Sequence, residues 1–124
     1  IMKKILVILV LLIQFPANAA DKYTNFSLSS LEKAKAVGKT IVVNSYEPWC
    51  WSCRKQDKVL LGAKEEFKDV VFLTYQQGKN KDIAEALNVS VRTTIVVFKG
   101  KKEVARIIGQ TGKTEIYSAI KKGI

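Results

Sequence analysis

The chain reads as an α/β domain, with a central mixed sheet of four to five strands and helices on both faces. Three observations predict this. β-Branched and aromatic runs recur at Thr40–Tyr46, 70–75, Thr94–Lys99 and 103–108. The first two flank a segment of helical length, which implies a βαβ unit with parallel strands and a right-handed crossover. The last two flank Gly100-Lys101, a tight turn that makes an antiparallel hairpin. Such a sheet buries both faces only when helices cover both.

The elements follow in order. Ser29-Ser30-Leu31-Glu32 matches a capping box and starts a short helix to about residue 37, which Gly38 ends. The strand Thr40–Tyr46 is a nearly continuous apolar run, as a buried strand requires. A helix over 52–67 comes next, weakened by Gly62. The run 70–75 is the second strand. Asn80 is placed to cap a helix over Lys81–Leu87, and Asn88 suits a left-handed exit. The hairpin follows, Gly109 and Gly112 break it, and 113–122 is the closing helix. A short strand near 23–26 would be the fifth. Ile41, Val42, Val43, Phe67, Val71, Leu73, Leu87, Ile95, Val97, Phe98 and Ile116 are read as core.

The N-terminal segment carries a different signal. Lys3-Lys4 is a short basic start, Ile5 to Phe15 is apolar apart from Gln14, and Ala17-Asn18-Ala19 is a small-residue cleavage pattern. We expect residues 1–19 to be a signal peptide and 20–124 to be one folded domain. The apolar run is about half the roughly 20 residues of a membrane span, so an uncleaved anchor is the weaker alternative. The expected location is periplasmic. Lys and Arg number 21 against 11 Asp and Glu, and the mature domain stays strongly cationic without Lys3 and Lys4. The cations are scattered rather than arranged as a basic stripe interleaved with aromatics. A solvated cationic surface is expected, and no nucleic-acid partner.

Only two cysteines are present, in Cys50-Trp51-Ser52-Cys53. They sit at a strand-to-helix turn, where backbone N–H groups point at the first sulfur and favour its thiolate. A disulfide between such near neighbours constrains the unfolded chain little, so it is a poor staple and a well-placed redox pair. Histidine is absent, which removes Cys–His and Ser–His catalysis and any imidazole metal site. No cofactor is expected. Two thiolates alone do not complete a tetrahedral metal site within one chain.

The element order, with Trp49-Cys50-Trp51-Ser52-Cys53 after the first full strand, resembles the thioredoxin family over about residues 28–120. The segment Thr94-Ile95-Val96-Val97-Phe98-Lys99-Gly100 looks like the family's strand after its cis-proline loop, and Gly109 matches its late glycine by position. The resemblance implies a thioredoxin-like fold and thiol–disulfide exchange. It makes Cys50 the attacking thiol, with Arg54 and Lys55 nearby, and Cys53 the buried resolving thiol. About 40 residues separate Cys53 from Thr93, too few for the inserted helical domain of DsbA-type oxidants.

Departures from the family pattern mark further site residues. Thr93 stands where the family has its cis-proline; a non-proline cis bond costs about 2.5–4 kcal/mol, so a trans Arg92–Thr93 bond in a reshaped loop is expected. The threonine hydroxyl is then free to hydrogen-bond a thiolate, or to leave the sulfurs open to a metal ion. Asn44 aligns with the family's buried aspartate but its amide cannot take a proton. Glu47 is the nearby carboxylate, placed by spacing nearer the surface. Lys58 replaces a helix-kinking proline, so a straighter helix is expected. Trp51-Ser52 replaces Gly-Pro between the cysteines and tunes the potential. Trp49 is expected either to pack beside the sulfurs or in the core, Trp51 to be an exposed partner contact or an incidental surface residue, and Arg92 to steer acidic partners, to lower the thiol pKa, or to be a solvated loop cation.

The leading expectation is therefore an exported, monomeric thiol–disulfide oxidoreductase acting on protein disulfides. A membrane electron donor or acceptor would recycle it, and the missing helical insert favours a reductant. Two alternatives stay open. One is a metal or iron–sulfur module bridged between subunits by Cys50 and Cys53 from each. The other is a redox-inactive adaptor that keeps the fold.

Overall fold

The computed structural model describes residues 27–124. The proposed signal segment and the possible strand near 23–26 lie outside them. The order is α1 (Leu28–Ala36), β1 (Thr40–Tyr46), α2 (Trp51–Glu66), β2 (Val71–Gln76), α3 (Lys81–Leu87), β3 (Thr94–Lys99), β4 (Lys102–Ile108) and α4 (Lys113–Lys121). Among the described residues the sheet has four strands in the order β2-β1-β3-β4. β1 and β2 run parallel, and β1–β3 and β3–β4 are antiparallel, so the mixed sheet read from the sequence is present.

Alternation along the strands sorts the core into two layers. Ile41 and Val43 of β1, with Val96 and Phe98 of β3, face one way and pack with Leu31 of α1 and Ile83 and Leu87 of α3. Val42, Ile95 and Val97 face the other way and pack with Leu60 and Ala63 of α2 and Ile116 and Ile120 of α4. Each such aliphatic side chain contributes about 1.5–3 kcal/mol on burial. Phe67 and Val71, expected in the core, are only partly buried, because both lie at element ends where one side faces the surface.

Three local details correct the sequence reading. The α1 capping box is formed by Ser27 and Ser30, not by Ser29 and Glu32. The helix starts one residue before Ser29, so the reciprocal side-chain bonds fall on the two serines. Asn80 precedes α3 but makes no side-chain cap; its Oδ1 accepts the Gln76 N–H instead, closing the preceding turn. Helix α2 already includes Trp51, because Cys50 itself is the N-cap. Asn88 takes the expected left-handed conformation at φ 53°. Gly100, at φ 58°, turns the hairpin, with its N–H bonded to the Lys39 carbonyl at 2.8 Å.

One surface pair fastens β4 to the end of α3. Arg106 binds both carboxylate oxygens of Glu103 at 2.7 and 3.0 Å. It also donates to the Leu87 and Asn88 carbonyls at 2.7 and 2.9 Å, the orphan acceptors of a helix C-terminus. The hydrogen bond from Arg106 holds the Glu103 carboxyl below the usual range. That stability is present at neutral pH and is lost as the pH falls through the lowered folded value. Arg106→Ala should lower stability by about 2 kcal/mol, read as a shift in the urea midpoint. Glu103→Gln should flatten the acid limb of that midpoint; an unchanged limb would mean the pair is not formed in solution.

Candidate active site

The sheet topology brings two strand ends together. The C-terminal end of β1 runs beside the N-terminal end of β3, with Ser45 paired to Thr94. The turn after β1 therefore meets the loop before β3, and α2 starts between them. Cys50 and Cys53 form a disulfide at this junction, with Cα atoms 5.2 Å apart. The Cys50 Sγ is the N-cap acceptor of α2 and takes the Cys53 N–H at 3.1 Å. Both residues are nearly sealed, at 2% and 4% exposure.

Thr93 provides the seal. Its peptide bond to Arg92 is trans, as expected, and its φ is +63°. This left-handed conformation is a steric outlier for a β-branched residue. Three hydrogen bonds hold its backbone. Thr93 N–H donates to the Ser45 carbonyl at 2.9 Å, and its carbonyl accepts from Gly109 N–H at 2.8 Å and from Gln56 Nε2 at 3.0 Å. The next residue, Thr94, adds a hydroxyl bond to the Val91 carbonyl at 2.8 Å. So fixed, the Thr93 Oγ1 lies 3.2 Å from each sulfur and 2.9 Å from Ser52 Oγ. Ser52 Oγ is in turn 3.5 Å from Cys50 Sγ.

Beneath the disulfide runs a buried amide chain that the sequence reading missed. Asn44 Nδ2 donates to Gln56 Oε1 at 3.0 Å, and Gln56 Nε2 donates to both Thr93 and Gln110 carbonyls. Gln56 is fully buried. The signal was its spacing: Cys53, Gln56, Leu60 and Ala63 recur three and four apart along the buried stripe of α2.

The remaining site residues divide. Trp51 is exposed as expected, and with Arg54, Lys55 and Lys58 lines a shallow cavity of about 230 Å³ on one face of α2. Trp49 is not a core residue: it is 66% exposed, because the Pro48 turn carries it outward. The Arg92 guanidinium lies 4.4 Å from the centre of its ring, so this cation is stacked rather than freely solvated. Glu47 is turned away from the role of base. Its oxygens accept from Gly78 N–H at 2.5 Å and Gln76 Nε2 at 3.3 Å, which ties it to the loop after β2. Among the described residues, no group of three or more His, Cys, Asp or Glu is placed to hold a metal ion, and no helix is long and apolar enough to cross a membrane.

A disulfide between near neighbours at a helix N-terminus, set in a mixed sheet of this topology, is the arrangement of a thiol–disulfide oxidoreductase. A family model described as Thioredoxin matches residues 22–122. The chain belongs to the thioredoxin family. It is 34% identical over 90 residues to a thioredoxin of Mycoplasma genitalium, covering 73% of this chain and 88% of that one. It is 31% identical over 84 residues to thioredoxin-2 of Saccharomyces cerevisiae, covering 67% and 81%. Among solved structures, the protein named Trxlp from Edwardsiella tarda superposes with a TM-score of 0.73 at 23% identity, covering 77% of this chain and 94% of that one.

Proposed function

We propose that the chain is an exported reductant of protein disulfides, with Cys50 attacking and Cys53 resolving. The N-cap position of the Cys50 sulfur carries this reading. A helix N-terminus bears roughly half a positive charge, which favours a thiolate there. In the reducing direction the Cys50 thiolate attacks one sulfur of a substrate disulfide. A Cys50–substrate bond forms and the other substrate sulfur leaves as a thiolate. Cys53 then attacks Cys50 Sγ, closing the internal disulfide and releasing the second substrate thiolate. Two electrons have passed to the substrate, and an external dithiol must return them. For an exported protein that donor is membrane-borne.

Between Cys53 and Thr93 the chain holds only the rest of α2, then β2 and α3, which supports the reductant role over that of an oxidant with a helical insert. Trp51, Arg54, Lys55 and Lys58 offer an indole and three cations beside the disulfide, a contact for protein substrates. The Lys3-Lys4 start, the apolar run and the Ala17-Asn18-Ala19 pattern support export with cleavage after Ala19.

The purified protein should be equilibrated in glutathione buffers, with bound metal measured on the same sample. A potential near −270 mV, where thioredoxin lies, is the expected result, and one near −120 mV would make it an oxidant. Bound iron or zinc without a reversible disulfide would promote the subunit-bridging module. Cys53→Ser should accumulate mixed disulfides with substrates, and Cys50→Ser should accumulate none. The mass of the exported chain reads the cleavage site; a full-length cytoplasmic chain would sink the export proposal.

A further inference from the structure

We propose that the Thr93 and Ser52 hydroxyls form a relay that carries the Cys53 proton to solvent when Cys53 resolves a mixed disulfide. This rests on the assignment of Cys53 as the resolving thiol. Resolution needs the Cys53 thiolate, yet Cys53 is 4% exposed, so its proton leaves through a group in contact with it. The Asn44 amide cannot accept a proton and its Nδ2 is committed to Gln56. The Glu47 oxygens are occupied by Gly78 and Gln76. The Thr93 hydroxyl, in contrast, is 3.2 Å from Cys53 Sγ and 2.9 Å from Ser52 Oγ. Ser52 is only half-buried, at the start of α2.

A hydroxyl donates one proton and accepts others, so two in series pass a proton without holding it. In the resolving step the Cys53 S–H proton moves to Thr93 Oγ1. The Thr93 proton moves to Ser52 Oγ, and the Ser52 proton goes to water. The electron pair left on Cys53 forms the bond to Cys50 Sγ. The Cys50–substrate bond breaks, and its pair leaves with the substrate sulfur, which is protonated in solvent. The φ of +63° at Thr93 is what aims the hydroxyl between the sulfurs.

The test mixes reduced full-length protein with the symmetrical disulfide of nitrothiobenzoate in a stopped-flow instrument. Coloured thiolate is released twice: once when Cys50 attacks and again when Cys53 resolves. Thr93→Val removes a contact to both sulfurs, so both phases respond, but the second should slow about a hundredfold, the low end of what a positioned proton-transfer group contributes, and far more than the first. The solvent isotope effect on the second phase, normal in the unmodified protein, should disappear. Thr93→Ser should restore both rate and isotope effect. Ser52→Ala should slow the second phase and remove the isotope effect, and it decides alone if the valine variant does not fold. A second phase unchanged in folded variants overturns the relay, as does a failure of serine to restore it. Absence of the first phase from the unmodified protein overturns the Cys50 assignment and the relay together.

Discussion

Thr93→Pro is expected to destabilise the protein by about 3 kcal/mol or more, although proline is the residue its family resemblance places there. The backbone explains why. A proline ring holds φ near −65°, whereas Thr93 sits at +63°. Proline also lacks the N–H that Thr93 donates to the Ser45 carbonyl at 2.9 Å. The substitution thus breaks a bond between the β1 end and the β3 loop and forces the loop into another conformation. The hydroxyl contacts to both sulfurs vanish with it. The measurement is a urea titration of both proteins, oxidised, with slopes compared. A midpoint shift at equal slope supports the strained loop. An unchanged midpoint would mean that the loop accepts either backbone and that Thr93 is not held as described.

Gln56→Leu carries the second large effect. The leucine fills similar space but removes three hydrogen bonds at once, those to Asn44, Thr93 and Gln110. The Asn44 amide is then left buried without its Gln56 acceptor, and such orphaning costs about 1–3 kcal/mol by itself. A total loss of about 3 kcal/mol is expected, with slower thiol–disulfide exchange because one tether of the Thr93 carbonyl has gone. Gln56→Glu is the informative companion, since it keeps the shape but brings a carboxylate into the buried chain. A leucine variant within about 1 kcal/mol of the parent would show that the amide chain is incidental.

The legible parts of this protein are those governed by short-range chemistry. The β3 bounds follow from a β-branched run that ends at Gly100, and the α3 exit follows from Asn88, which tolerates the left-handed region. The redox pair was legible from its spacing together with its place between a strand and a helix. What stayed hidden depends on partners distant in sequence. Glu47 was the nearby carboxylate to stand in for the acid missing at Asn44, already placed by spacing nearer the surface, and the end of β2 and the loop after it take its oxygens. Trp49 was expected beside the sulfurs or in the core, yet the turn at Pro48 throws it outward onto Arg92. Thr93 was recognisable as a departure. Its left-handed φ was not, because that conformation is fixed by Ser45, Gly109 and Gln56, none of which neighbours it in the chain.

The chain has two tryptophans, and each is the immediate neighbour of Cys50. Neither reports on the hydrophobic layers, since both indoles are largely exposed. Intrinsic fluorescence of this protein is therefore light from the rim of its disulfide. One emitter is stacked under a guanidinium and the other is open to solvent, and both flank the nearly sealed Cys50. The molecule carries its own optical label at the place where its chemistry happens.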